Sequence, residues 1–151
     1  MRRISRDEMF IAMSHAVAMR GTCNRLQVGA ILVMENRPIS CGYNGAPSGA
    51  PHCNSNCNHA EPCRNTIHAE DNAIRWARSF MMGDPKGATL YITDSPCESC
   101  AQKIVEAGIR RVVYDRPYRN SKGIEFLKFF KVEVEQCHIS VDSVNSHIPQ
   151  I

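Results

Sequence analysis

Two short stretches carry side chains suited to metal chemistry: TIHAEDNAI at Thr66 to Ile74 and TDSPCESCAQKI at Thr93 to Ile104. The first sets His68 and Glu70 two residues apart, the second Cys97 and Cys100 three apart. On a helix, the second spacing puts both sulfurs on one face. Pro96 is allowed at a first helical position. The cysteines then fall in a first turn, where exposed N–H groups and the helix dipole favour the metal-binding thiolate. His68 stands at the start of the preceding helix, so one imidazole and two thiolates can meet. Three protein ligands leave the fourth tetrahedral position of zinc open, which is the catalytic pattern. Glu70 does not share a helix face with His68, so it suits the pocket border better than the ligand set. Zinc with two thiolates and a neutral imidazole carries no net charge and acidifies water less than a three-imidazole site. A nearby carboxylate that takes and later delivers the proton supplies what the metal lacks.

Two plainer readings compete. SPCESC follows a strand, as a thioredoxin-like redox pair would, but that leaves His68 and Glu70 idle. A structural zinc site at His68, Cys97 and Cys100 would need one of the loop cysteines as its fourth ligand.

These residues need helices and strands to hold them. Ser5 and Glu8 fit a capping box, and Met9, Phe10, Met13, Ala16 and Val17 then share one helical face. VGAILVM (28–34) reads as a strand, NRP as a turn, and ISCGYN (39–44) as its antiparallel partner. Residues 44–65 are rich in Pro, Gly and Asn, too long a stretch for an idle connector. A helix is expected from Ile67 to about Phe80, capped by Thr66 or Asn65. The strand ATLYIT and a helix capped by Asp94 or Ser95 follow, with Ser95 and Glu98 as a second capping box, ending at Gly108. RRVVY, a helix over Gly123–Phe130 and the strand KVEVEQ complete the order. Alternating helices and strands imply parallel crossovers, with helices on both faces of the sheet. Residues 1–137 read as one domain and 138–151 as a polar, loosely held C-terminal tail.

The chain has 151 residues, 43% apolar and 22% charged, ordinary values for one globular domain. Its net charge of +3 would suit a small phosphorylated substrate but is too weak to argue for nucleic acid. No apolar run reaches membrane-spanning length and MRRISRDEMF has no signal core, so no membrane association and a cytoplasmic location are expected. In such a compartment the 8 cysteines point to metal or catalysis rather than disulfides. Cys41 and Cys137 read as buried small apolar residues.

His68-Ala69-Glu70 and Pro96-Cys97-Glu98-Ser99-Cys100 form the H-x-E and P-C-x-x-C signature of zinc nucleobase deaminases. With CNRLQVGAILV, GYNGAPSG, YDRPYRNSKG and the cysteine-rich loop, the chain most resembles the deoxycytidylate (dCMP) deaminases of bacteria and phages. The resemblance implies an α/β fold, a cytidine deaminase-like three-layer α/β/α sandwich with a mixed five-stranded sheet. It implies hydrolytic deamination of dCMP to dUMP and ammonia, feeding thymidylate synthesis in pyrimidine metabolism. His68, Cys97 and Cys100 would hold the catalytic zinc. Glu70 would carry a proton from the activated water to N3 and then to the leaving amine, as hydroxide attacks C4. Backbone groups near Ala69 and Ser95 would hold the pyrimidine edge. Arg25 and Arg119 are the phosphate candidates and Tyr118 the residue stacking on or closing over the substrate; both arginines read equally well as solvated surface charge. A deaminase acting on nucleic acid, or a catalytically silent zinc-stabilised nucleotide-binding module, would share these motifs. The weak basic charge argues against the first and Glu70 against the second.

Cys53, Cys57 and Cys63 form C-x3-C-x-H-x3-C with His59. Family members with this loop often hold a second, structural zinc and use a cysteine in the position of Cys23. Cys23, Cys53, Cys57 and Cys63 are therefore the expected ligands, with His59 as the alternative. Four ligands close the tetrahedron; free thiols on a loop would be open to oxidation. The resemblance also implies a homohexamer, activated by dCTP and inhibited by dTTP. The regulatory nucleotide would sit with Mg²⁺ near Gly42, Tyr43, Asn44 and Gly45, the glycines admitting a ligand close to the backbone. A tight turn would use the same residues without any ligand.

Overall fold

Ala30, Ile31, Leu32 and Val33 are all buried, yet they serve two different cores, because successive side chains of a strand point to opposite faces. The computed structural model describes residues 2–53, 66–80 and 83–146. In chain order it contains α1 (Arg6–Ala18), β1 (Gly29–Met34), β2 (Arg37–Tyr43), α2 (Ala69–Ser79) and β3 (Thr89–Asp94). Then come α3 (Glu98–Glu106), β4 (Arg111–Arg116), α4 (Lys122–Phe129), β5 (Glu133–Gln136) and α5 (Val141–Asn145). The strands form one five-stranded sheet, β2-β1-β3-β4-β5. β1 is antiparallel to both neighbours, whereas β3–β4 and β4–β5 are parallel. The mixed sheet and its two helical layers match the expected α/β/α sandwich.

Ala30 and Leu32 face α2, α3 and α4 together with Leu90, Ile92 and Val112. Ile31 and Val33 face α1, with Tyr91 and Val113. Each layer buries its own apolar surface, the main favourable contribution to folding.

Several local expectations need correction. The capping box of Ser5 and Glu8 is present, but α1 is rotated from the expected face. Phe10, Ile11, Ser14 and Ala18 are buried, while Met9 and Met13 are 38% and 37% exposed. The reason is Gly29: a Cβ there would lie 2.0 Å from Ser14 O and 2.5 Å from Ala18 N. The helix presents its small residues to that notch, and close backbone approach outweighs burial of the methionines. The first hairpin turns at Glu35 and Asn36, both at positive φ, so of the expected NRP turn only Asn36 takes part and Arg37 and Pro38 belong to β2. Pro38 lies inside β2, tolerated because β2 is an edge strand. Cys41 is exposed rather than buried, whereas Cys137 is half-buried and packs against the α1-side core.

The segment after β5 is more closely held than expected. Ile139 packs on the α1-side core, and His138 Nδ1 lies 2.7 Å from Asp115 Oδ1. The other oxygen of this buried carboxylate meets His15 Nε2 at 2.6 Å. α5 was not anticipated; the Ser140 hydroxyl caps it, accepting from Ser143 N. Among the described residues no helix is long and apolar enough to cross a membrane.

Candidate functional site

The two motifs meet where α2 and α3 begin. His68 and Cys97 are the N-cap residues of these helices, each with extended backbone and no side-chain capping hydrogen bond. This moves both helix starts from the expected positions: neither Thr66 nor Asn65 caps α2, and neither Asp94 nor Ser95 caps α3. A proline disfavours helical backbone in the residue before it, so Ser95 stays outside the helix and its capping box with Glu98 does not form. The Ser95 hydroxyl instead accepts from Tyr118 N at 2.6 Å, tying the β4–α4 loop to the start of α3.

Freed from capping, the donor atoms converge. His68 Nδ1 lies 3.2 Å from Cys100 Sγ and 3.6 Å from Cys97 Sγ. All three donor atoms fall within 4.8 Å of one another. Nitrogen and sulfur ligands on a tetrahedral zinc, at bond lengths of about 2.0–2.1 and 2.3 Å, stand about 3.6 Å apart. The donor set and its spacing therefore fit zinc. Among the described residues this is the one such His/Cys/Asp/Glu cluster. Cys100 is buried, Cys97 half-buried and His68 exposed, so the site opens on its histidine side.

Protons are already redistributed among these donors. The Cys97 thiol is held far below its usual range, first by a hydrogen bond from Cys100 and then, against burial, by bonds with His68 and Ser99. Cys100 is pushed up by the same bond to Cys97 and by burial. The imidazole of His68 is raised by its bond with Cys97. These bonds favour the thiolate form at Cys97 and oppose it at Cys100. A divalent cation would displace those protons on binding.

Glu70 is 4% exposed in the first turn of α2. Burial raises its pKa from 4.5 to about 7, opposed by its own backbone N–H, the charge of His68 and a side-chain hydrogen bond with Cys100. A buried carboxyl within hydrogen-bond reach of a metal-type donor can exchange protons with a group bound at that site. Ala69 is fully buried and Ser95 is 3% exposed, both next to the donors in sequence.

The phosphate candidates lie further out. Tyr118 and Arg119 are exposed on the β4–α4 loop. Arg25 lines a cleft of about 540 Å³ with His15, Gln27 and Arg116. Sequence reasoning missed Arg116, which also pairs with Asp94 at 3.0 Å. Its place at the C-terminal end of β4, where ligands of open α/β sheets gather, was the available signal.

The GYNG stretch holds the start of α2. Gly45 and Ile67 exchange backbone hydrogen bonds of 3.1 and 2.9 Å, and Asn72 Nδ2 donates to Tyr43 O at 2.8 Å. Asn44 is buried, accepting from Val28 N at 2.7 Å and donating to Leu26 O at 2.6 Å. At Gly42 the close neighbour is not a ligand. A Cβ there would lie 2.5 Å from both Ala69 O and Ala73 N, so the space admits α2. A cleft of about 720 Å³ runs alongside, bordered by Tyr43, Gly45, His52, Asn72 and Trp76. Of the expected second-metal ligands, Cys23 and Cys53 are half-buried; Cys57, Cys63 and His59 lie outside the described residues.

Comparison with known proteins returns one family profile, the cytidine and deoxycytidylate deaminase zinc-binding region, over residues 4–116. ComE operon protein 2 of Bacillus subtilis is 40% identical over 147 residues, covering 95% of this chain and 74% of that protein. The deoxycytidylate deaminase of Schizosaccharomyces pombe is 39% identical over 145 residues, 89% of this chain but only 44% of the fungal protein. Among solved structures, dCMP deaminase from the cyanophage S-TIM5, in complex with dCMP and dUMP, superposes with a TM-score of 0.81. It is 30% identical, with 91% of this chain and 100% of that chain covered.

Proposed function

Because the chain belongs to the cytidine and deoxycytidylate deaminase family, we propose that it hydrolyses dCMP to dUMP and ammonia with a zinc ion at His68, Cys97 and Cys100. The observation that carries this reading is the buried Glu70 hydrogen-bonded to Cys100, one of three convergent donors. Zinc there would supply a Lewis acid that makes an attacking water acidic near neutral pH. Glu70 would take one proton of that water and deliver it to N3 of the ring, then pass the second, from the hydroxyl added at C4, to the amine as the C4–N bond breaks. A carboxyl poised near neutrality is suited to both directions of transfer. Backbone groups at Ala69 and Ser95 hold the pyrimidine edge. Arg25 and Arg119 meet the phosphate, for which a guanidinium offers paired donors, and Tyr118 closes over the substrate. In a cell this reaction supplies dUMP for thymidylate, in the cytoplasm or, for a phage-encoded enzyme, the host's.

Regulation belongs to the same reading. dCTP activates and dTTP inhibits a homohexamer, with the nucleotide and Mg²⁺ in the cleft beside Gly42, Tyr43, Asn44 and Gly45. A second, structural zinc is held by Cys23, Cys53, Cys57 and Cys63, with His59 as the alternative ligand. Ammonia release from dCMP, with zinc counted on the same sample, tests the core of the proposal. Turnover with about two zincs per chain supports both metal sites; turnover with one removes the loop site. No turnover on dCMP, with or without dCTP and Mg²⁺, overturns the substrate assignment. A rate-versus-dCMP curve unmoved by dCTP and dTTP removes the regulation.

A further inference from the structure

An ion pair joins the two ligand-bearing helices one turn behind the donors. Asp71 follows His68 by three residues, and Lys103 follows Cys100 by three. Lys103 Nζ lies 2.9 Å from Asp71 Oδ2, and the other carboxylate oxygen meets Arg75 Nε at 3.2 Å within α2 itself. Asp71 is 9% exposed, and both partners reach its carboxylate from the solvent edge of the interface. Its pKa stays below the ordinary value although burial acts the other way, because Lys103 and then Arg75 hold the carboxylate ionised.

The helices otherwise rest on different supports. α2 lies against β1 and β2, pressed into the notch at Gly42, while α3 packs mainly on α4. Both helices also share the core on one face of the sheet and meet directly in a small contact, but a metal site tolerates only about 0.5 Å of error in donor placement, a tighter tolerance than such broad packing imposes. The pair spans the gap at the level of the site.

We propose that Asp71 and Lys103 form an interhelical clamp that holds His68 against Cys97 and Cys100 and so sets how tightly the metal is retained. They are positioning residues that touch neither metal nor substrate, and the clamp rests on the reading of His68, Cys97 and Cys100 as zinc ligands. The Lys103 side chain is 46% exposed, so the pair contributes little to global stability. Its loss should appear in metal retention rather than in unfolding.

The test is the rate of zinc transfer from purified protein to a chromogenic chelator. The relevant release phase is the one that disappears in His68→Ala. Lys103→Met and Asp71→Asn should release zinc about 3–10-fold faster, less than the 10–100-fold typical when a ligand's direct hydrogen-bond partner is removed. Lys103→Arg should restore most of the retention. Arg75→Met, which removes only the partner inside α2, should match the wild-type protein. The melting temperature of the zinc-free protein should be unchanged in all of them. Release no faster in Lys103→Met, or an equal effect from Arg75→Met, overturns the clamp. So does faster release accompanied by a matching fall in zinc-free melting temperature, which would mark a merely structural pair. A release phase that survives His68→Ala overturns the metal reading itself, and the clamp with it.

Discussion

His68 and Cys97 hold the same position in two successive helices: each is an N-cap residue in extended conformation whose side chain makes no capping hydrogen bond. That position normally belongs to Ser, Thr, Asp or Asn, whose oxygen satisfies an orphan N–H. The protein forgoes that stabilisation twice so that both side chains can turn toward Cys100. Cys97→Ser should therefore separate stability from metal binding. The zinc-free variant gains a side-chain cap and should melt higher by the equivalent of about 1 kcal/mol. The same variant should lose most of the stabilisation that added zinc gives the wild type. Thermal melts with and without zinc read both effects; a zinc-free variant that melts lower than wild type contradicts the capping argument.

Glu70→Gln keeps the shape of the buried side chain and removes its proton chemistry. Zinc content and dCMP binding should be retained while turnover falls by about 10²–10⁴-fold, the usual contribution of a positioned acid–base group. Zinc analysis, equilibrium dialysis with dCMP and ammonia release on one preparation separate these quantities. Normal deamination by this variant rules out Glu70 as the proton carrier.

The parts legible in the sequence are those encoded over short separations. H-x-E and C-x-x-C are local patterns, and short apolar runs such as VGAILVM and ATLYIT mark the buried strands. The misplaced features arise from long-range backbone packing. Met9 and Met13 form the more apolar stripe of α1, but Gly29 admits backbone only, and Ser14 with Ala18 fills the notch. Ser95 has the residue type of a helix cap, but Pro96 holds it extended and Tyr118 N takes its hydroxyl. Asp71 and Lys103 are distant in sequence and meet only once the sheet has set α2 beside α3.

Gly123 shows the same point in a form that can be tested. It opens α4 against the backbone that carries the first sulfur: a Cβ there would lie 1.9 Å from Pro96 O and 3.0 Å from Cys97 C. Neither neighbour is a flexible side-chain end. Gly123→Ala must push α4 away from the start of α3, at a cost of about 1–3 kcal/mol. Because the strain falls on the Pro96–Cys97 segment, zinc affinity should drop along with thermal stability. Gly87→Ala is the comparison. It sits at positive φ with open space around it, so it should lower stability through backbone strain while leaving zinc affinity unchanged.

The α1 layer supplies a pH dependence independent of the metal. Arg111 donates to both oxygens of Asp7, at 3.0 Å to Oδ1 and 2.8 Å to Oδ2, and Tyr91 donates to Oδ1 at 2.6 Å. These bonds, led by that from Arg111, hold Asp7 below the ordinary carboxylate range, with burial opposing them. A depressed folded-state pKa contributes stability above the unfolded value of about 3.9, and that contribution is lost as pH falls through the folded value. At pH 7 Asp7→Asn should therefore be less stable than wild type by about 1 kcal/mol, allowing for partial solvent screening. The difference should shrink as pH drops below about 4, where the wild-type carboxylate begins to take up its proton. Urea unfolding of both proteins at pH 7 and pH 3 measures it. A gap of the same size at both pH values would assign the loss to packing of the Asp7 side chain rather than to its charge.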